Sequence, residues 1–131
     1  MDCLTLKYEL IDLPNDYCFE LVDSEVQRDN RNSAYNERHD QLKKAEKILS
    51  VDNLGSITID QLDKSKFDDH LIYKRALHVV TENKRTLDAK NFMLKQDMKQ
   101  FGKLMNLSHL SYSHDFEAST KDVDLLAKRS I

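Results

Sequence analysis

The chain has 131 residues and a mass of 15.3 kDa, which allows one domain or part of one. It contains two glycines and one proline, so a glycine-rich phosphate loop or a dinucleotide fingerprint, each needing several glycines within a few residues, is excluded. A net charge of −3 gives no overall attraction to nucleic acid or to an anionic membrane, and no apolar run approaches the roughly 20 residues of a membrane-spanning helix.

The N-terminal residues and the cysteines both favour a reducing cytoplasm. Asp2 and Glu9 interrupt the charged-then-apolar order of a signal peptide. Cys3 and Cys18 are the only cysteines, and a hairpin that turns about Asn15 would place them out of cross-strand register. We therefore expect no disulfide and a cytoplasmic location.

Residues 1–24 predict a β-hairpin. Apolar and polar residues alternate from Cys3 to Leu13, which is typical of a half-buried strand. Pro14-Asn15-Asp16 has the composition of a turn, and Tyr17–Val22 is a second short run rich in aromatic and branched residues. Because an isolated hairpin is marginally stable in water, it must pack on helices or on further strands.

Residues 33–131 predict four or five helices, so the predicted class is α+β within a single partial domain, 1–131. Apolar residues recur at helical spacing in most of this region. The predicted helices are 33–50, a short one near 59–62, 67–95, one after the N-cap Asp97 that runs to Tyr112, and a last one capped by Ser119 or Thr120.

The two longest helices should form an antiparallel pair, since their connection is short. We expect the contact to run through Val79, Val80, Asn83, Leu87, Met98, Phe101 and Met105. Gly102 lies inside the second helix at a cost near 1 kcal/mol relative to alanine, and a close helix crossing would explain it.

Candidate chemical sites are weak at this level. His109 and His114 are five residues apart, which places them on different helix faces, so solvated or capping roles are favoured over a metal site. The basic stretch from Lys74 to Lys103 could contact phosphate, but a solvated helix face explains it better. Ser-His-Asp combinations near 108–115 are adjacent in sequence, whereas a catalytic triad needs residues that converge from separate elements. We therefore predict no catalytic, cofactor-binding or metal-binding residue.

Three segments nevertheless carry specific motifs: Ser33–Gln41 (SAYNERHDQ), Arg75–Thr86 (RALHVVTENKRT) and Phe101–Glu117 (FGKLMNLSHLSYSHDFE). They resemble segments of galactokinases, a family of the GHMP kinase superfamily, in which Ser33–Gln41 is similar to an S-x-Y-N-x-R-R-x-Q segment. Arg75–Thr86 (RALHVVTENKRT) resembles a family helix, and Phe101–Glu117 (FGKLMNLSHLSYSHDFE) resembles its F-G-x-L-M-x-x-S-H-x-S segment and the D-F-E that follows. The three occur in the family's order with similar separations, and together the resemblance covers essentially the whole chain.

The resemblance implies a middle and C-terminal part of a chain that phosphorylates galactose with ATP and Mg²⁺. Tyr35 matches a family tyrosine that lines the galactose pocket, a role that suits an apolar ring carrying a hydroxyl. The family's sugar-recognition motif and both of its glycine-rich loops are not found in this sequence, and no acidic residue matches the family's base. His39 also stands where the family has a second arginine.

Two functions therefore remain open for this chain. The first is an inactive part of a galactokinase, and the second is a non-catalytic helical interaction or regulatory module on the same scaffold. We also expect self-association, through an exposed sheet edge or an apolar helix face. Binding to nucleic acid or to a membrane is not expected.

Overall fold

Four α-helices and three short 3-10 turns make up the ordered framework of the computed structural model, which describes residues 1–2, 5–26 and 33–129. Helix α1 spans Ser33–Leu49, α2 spans His70–Leu94, α3 spans Met98–His114 and α4 spans Lys121–Arg129. The connection from α1 to α2 contains the 3-10 turns Leu54–Ser56, Ile59–Gln61 and Lys64–Lys66.

Side-chain caps define where most of these helices begin. Asp69 accepts a hydrogen bond from the Leu71 amide at the start of α2, and Asp97 accepts one from the Gln100 amide at the start of α3. The Thr120 hydroxyl accepts from the Val123 amide before α4. The N-cap predictions for Asp97 and Thr120 are confirmed.

The core lies between α1, α2 and the connection that joins them. Its buried apolar residues are Ala45, Leu49, Leu54, Leu62, Ile72, Ala76 and Val80. Leu54 is 2% exposed and comes from the first 3-10 turn, which its N-cap Asn53 holds by accepting the Gly55 amide at 2.6 Å. The irregular connection therefore contributes to the core as the helices do.

Helices α2 and α3 form the predicted antiparallel pair, but two of the expected contact residues lie outside it. His78 contacts Ser111 and Glu82 contacts Ser108, so residue numbers rise along one helix as they fall along the other. Leu87 and Met105, which we expected in the contact, are 63% and 54% exposed. Polar pairs thus form part of a contact that the apolar period predicted to be hydrophobic.

The close crossing expected at Gly102 is also wrong. A Cβ built on Gly102 would meet no atom within 4 Å, so no neighbour requires glycine there. The glycine lies on a face of α3 that is open in this structure.

The predicted N-terminal hairpin and the α+β class are wrong. None of residues 5–26 is in a strand, and Leu6 has a φ of 57°, which an extended strand does not allow. The expected turn is present as a hydrogen bond from the Tyr17 amide to the Pro14 carbonyl at 3.0 Å. No pairing of two strands follows this turn among the described residues. A hairpin without a partner sheet cannot bury one of its faces, and Leu10 and Leu21 are 89% and 99% exposed.

The N-terminal segment is instead attached to the helices at isolated points. Glu9 pairs with Lys90 of α2 at 2.6 Å, and the Phe19 ring meets the Phe101 ring of α3 edge-on with centroids 6.1 Å apart. Cys18 is exposed. Cys3 lies outside the described residues, so the structure does not test our expectation that Cys3 and Cys18 form no disulfide.

Candidate functional site

Tyr35, the predicted sugar-binding residue, lies in the first turn of α1. Its side chain is 73% exposed, so it contributes little to the core. The apolar stripe that carries the helix is formed further along, by Ala45 and Leu49. The exposure leaves the ring and hydroxyl of Tyr35 open to a ligand.

Arg38, three residues later on α1, ties this helix to the segment that follows α3. Its Nε donates to the Phe116 carbonyl oxygen at 2.9 Å, and its Nη2 donates to the Glu117 carbonyl oxygen. The position of Tyr35 is therefore linked to the backbone of residues 116–117, about 80 positions away in sequence.

Arg75 of α2 holds the same segment from the other side. The residue is 3% exposed, and its guanidinium donates to Gln41 Oε1 at 3.1 Å, to the Asp115 carbonyl oxygen, and to Glu117 Oε2 at 2.8 Å. A buried guanidinium is costly unless its donors are used, and here each of its three nitrogens has an acceptor. Arg75 thus joins α1, α2 and the segment after α3.

Glu117 is the carboxylate that forms the ion pair with Arg75. Its second oxygen lies 3.4 Å from Lys74 Nζ. The hydrogen bond from Arg75 is the main reason why the pKa of Glu117 is lowered below its ordinary value. The carboxylate is engaged by two cations and is not placed to accept a proton from a substrate.

His78 and Ser111 form a second polar contact beside Arg75. The Ser111 hydroxyl donates to Asp115 Oδ2 at 2.9 Å, so its oxygen accepts from His78 Nδ1, 3.0 Å away. The His78 ring stacks on Phe116 with centroids 4.7 Å apart. Burial lowers the pKa of His78, which keeps the ring neutral near pH 7.

We call this group, formed by Arg38, Gln41, Arg75, His78, Ser111, Asp115 and Glu117, the polar junction. Each of the three galactokinase-like segments contributes to it. Sequence reasoning from periodicity missed it, because its contacts between different segments join residues 33 to 79 positions apart. The signal that could have found it was the set of charged residues shared by the quoted segments.

The Ser-His-Asp combinations of the sequence do not form a triad. Ser108 donates to Glu82, His109 pairs with Asp124, and His114 Nδ1 lies 2.9 Å from the Leu110 carbonyl. Within the described part of the chain, no three His, Cys, Asp or Glu side chains are grouped so that they could hold a metal ion. The arrangement can orient backbone and side chains, and none of these three contacts forms a serine–histidine–aspartate relay.

No helix among the described residues is long and apolar enough to cross a membrane. No family model matches the chain.

Known proteins similar to this chain are galactokinases. That of Levilactobacillus brevis is 34% identical over 135 residues, covering 98% of this chain and 35% of the relative. That of Actinobacillus succinogenes is 36% identical over 132 residues, covering 98% and 34%. A crystal structure of Lactococcus lactis galactokinase complexed with galactose matches with a TM-score of 0.78 and 29% identity, over 82% of this chain and 29% of that one.

Sequence and fold are thus both similar to those of galactokinases. The chain is homologous to galactokinases and spans about a third of the length of the relatives it matches.

Proposed function

We propose that this chain forms one wall of a galactose site, and the scaffold behind that wall, in a galactokinase. The observation that carries the proposal is the placement of Tyr35. It lies in the segment that matches the family's sugar-binding tyrosine, it is exposed, and Arg38 on the same helix links it to the polar junction. The complex of the Lactococcus lactis relative with galactose supports this substrate.

We further propose that the chain alone does not phosphorylate galactose. Phosphates are held by successive backbone amides of glycine-rich loops, and the two glycines here lie apart, Gly55 in a 3-10 turn and Gly102 within α3. The carboxylates of the polar junction already accept hydrogen bonds from Arg75 and Ser111. We therefore do not expect the described residues to hold, by themselves, the ATP and Mg²⁺ that galactokinase activity requires.

The chain is proposed to act as one partial domain, 1–131, in the cytoplasm.

A single contact such as that of Tyr35 contributes about 1 kcal/mol, which is far too little to offset the freedom that a sugar loses on binding. Galactose affinity in the millimolar range or weaker is expected.

A helical interaction module is the second candidate, and the exposed apolar side chains favour it. Leu87 and Leu94 of α2 are 63% and 60% exposed, and Met105 of α3 is 54% exposed. Since there is no sheet edge among the described residues, self-association would use these helix faces. Sedimentation across micromolar concentrations tests it: species above 15.3 kDa support the proposal, and a single 15.3 kDa monomer contradicts it.

The kinase proposal is tested with a coupled assay of ADP release from Mg·ATP and galactose. The chain and its Tyr35→Ala variant should both give the background rate. If the chain phosphorylates galactose and the Tyr35→Ala variant does not, the active site is complete in this chain and the proposal is wrong.

A further inference from the structure

The first turns of α1 have little packing of their own. Every residue from 35 to 40 is exposed except Arg38, which is half-buried. The apolar contacts of this helix with the core begin later, at Leu42 and Ala45. Because a helix end without tertiary contacts frays, the turn that carries Tyr35 depends on something other than apolar packing.

Arg38 makes a contact of the required kind, three residues after Tyr35. Its Nε and Nη2 donate to the carbonyl oxygens of Phe116 and Glu117, so one guanidinium holds two consecutive carbonyls. A planar fork that makes two hydrogen bonds fixes direction as well as distance. Residues three apart in a helix are neighbours on its surface, so holding Arg38 also sets the direction in which the Tyr35 side chain leaves α1.

The segment that accepts this fork is itself fixed on α2. The Phe116 ring stacks on His78 with centroids 4.7 Å apart, and the Glu117 carboxylate accepts from Arg75 at 2.8 Å. Both residues follow the C-cap of α3, so their carbonyls lie outside the hydrogen-bond pattern of that helix and can accept from Arg38. The start of α1 is thus attached to a part of the chain that two other contacts already hold.

We propose that Arg38 is a positioning residue for galactose binding, which presents the exposed Tyr35 ring to the sugar by holding the first turns of α1 against residues 116–117. The inference rests on the proposed galactose contact of Tyr35. Arg38 acts through that ring, because its Nε and Nη2 are used by backbone carbonyls. A ring that is held in place before the sugar arrives loses less freedom on binding, and the difference appears as affinity.

Hydrogen exchange of the whole chain tests the attachment without any sugar. Arg38→Met keeps an unbranched stem and removes the donors, so the amides of residues 37–41, which close the first turns of α1, should exchange about fivefold faster. Lys44→Met, the same kind of change at an exposed position of α1, should leave them unchanged. The amides of α2 report in both variants that the chain is folded. Unchanged exchange at 37–41 in Arg38→Met would overturn the proposal.

The sugar readout is the galactose KM of a galactokinase that carries this chain in place of its matching segment. Arg38→Met should raise this KM about threefold with little change in kcat, and Arg38→Lys, which keeps the charge and one donor group, should raise it less. A residue that acts through Tyr35 has nothing to position once the ring is gone. Arg38→Met should therefore not raise the KM further in a Tyr35→Ala background.

The outcomes separate this inference from the proposal on which it rests. An unchanged KM for Tyr35→Ala would overturn the galactose contact and, with it, the role of Arg38. A raised KM for Tyr35→Ala together with an unchanged KM for Arg38→Met would overturn only the positioning role. An effect of Arg38→Met that persists in the Tyr35→Ala background would do the same, since Arg38 would then act independently of the ring.

Discussion

The buried guanidinium of Arg75 lies 2.8 Å from the carboxylate of Glu117, a residue 42 positions later in the chain. Arg75 also donates to Gln41 of α1 and to the Asp115 carbonyl, so one side chain fixes the relative positions of α1, α2 and the segment after α3. Through Gln41, Arg75 connects the middle of α1 to the segment after α3.

Replacing Arg75 by alanine should therefore destabilise the chain by about 2–3 kcal/mol, because three acceptors, of which Gln41 is buried, lose their donor. Lys74→Ala is the matched control. Lys74 reaches the same carboxylate at 3.4 Å from a more exposed position, and its loss should cost less than about 1 kcal/mol. Urea unfolding measures both. Equal losses for the two variants would contradict the role given to Arg75.

His78 should make the stability fall as the pH drops below about 6.5. Burial lowers its pKa in the folded state below the ordinary value of 6.5. The stability that the neutral ring contributes is thus fully present above pH 6.5 and is lost as the pH falls through the folded pKa.

In the variant His78→Gln this part of the pH dependence should disappear, while the side chain can still meet Ser111. The measurement is the urea midpoint of both proteins at pH 7, 6 and 5. A decline of the same size in both would assign the dependence to other groups.

The two glycines should respond to alanine in opposite directions. Gly102→Ala should stabilise the chain by about 0.5–1 kcal/mol, because the new methyl meets nothing and α3 gains helix propensity. Gly55→Ala should destabilise it by about 1–2 kcal/mol, since its Cβ would lie 2.9 Å from Asn53 Oδ1 and 3.0 Å from Asn83 Nδ2. Thermal unfolding distinguishes them, and a destabilising Gly102→Ala would indicate that this face of α3 is covered in solution.

The helices were predictable from the sequence, because their causes are local. The apolar period of α1 and the aspartate caps of α2 and α3 act within a few residues. The hairpin failed because alternation predicts a strand only where a sheet can receive it, and Leu10 and Leu21 have no such partner here.

The candidate site was predictable only in part. Tyr35 came from the galactokinase resemblance and is still a prediction. Arg75 and Glu117 were within the quoted segments, but the pairing of a buried arginine with a distant carboxylate depends on how α2 and α3 pack. Met105 shows the same limit of sequence-based prediction. The helical period placed it in the contact between α2 and α3, but its side chain is exposed, and Ser108 of the same helix makes the contact with Glu82.

The most direct test of the proposed galactose contact at Tyr35 is a chimeric galactokinase that contains this chain. In the Lactococcus lactis galactokinase, the matching segment is replaced by this chain, and galactose-dependent ADP release is measured for the chimera and for its Tyr35→Ala and Tyr35→Phe variants. We expect an active chimera, a galactose KM raised about fivefold by Tyr35→Ala, and a smaller rise for Tyr35→Phe, which keeps the ring. A folded, active chimera whose galactose KM is unchanged by Tyr35→Ala would contradict the placement of the sugar wall at Tyr35.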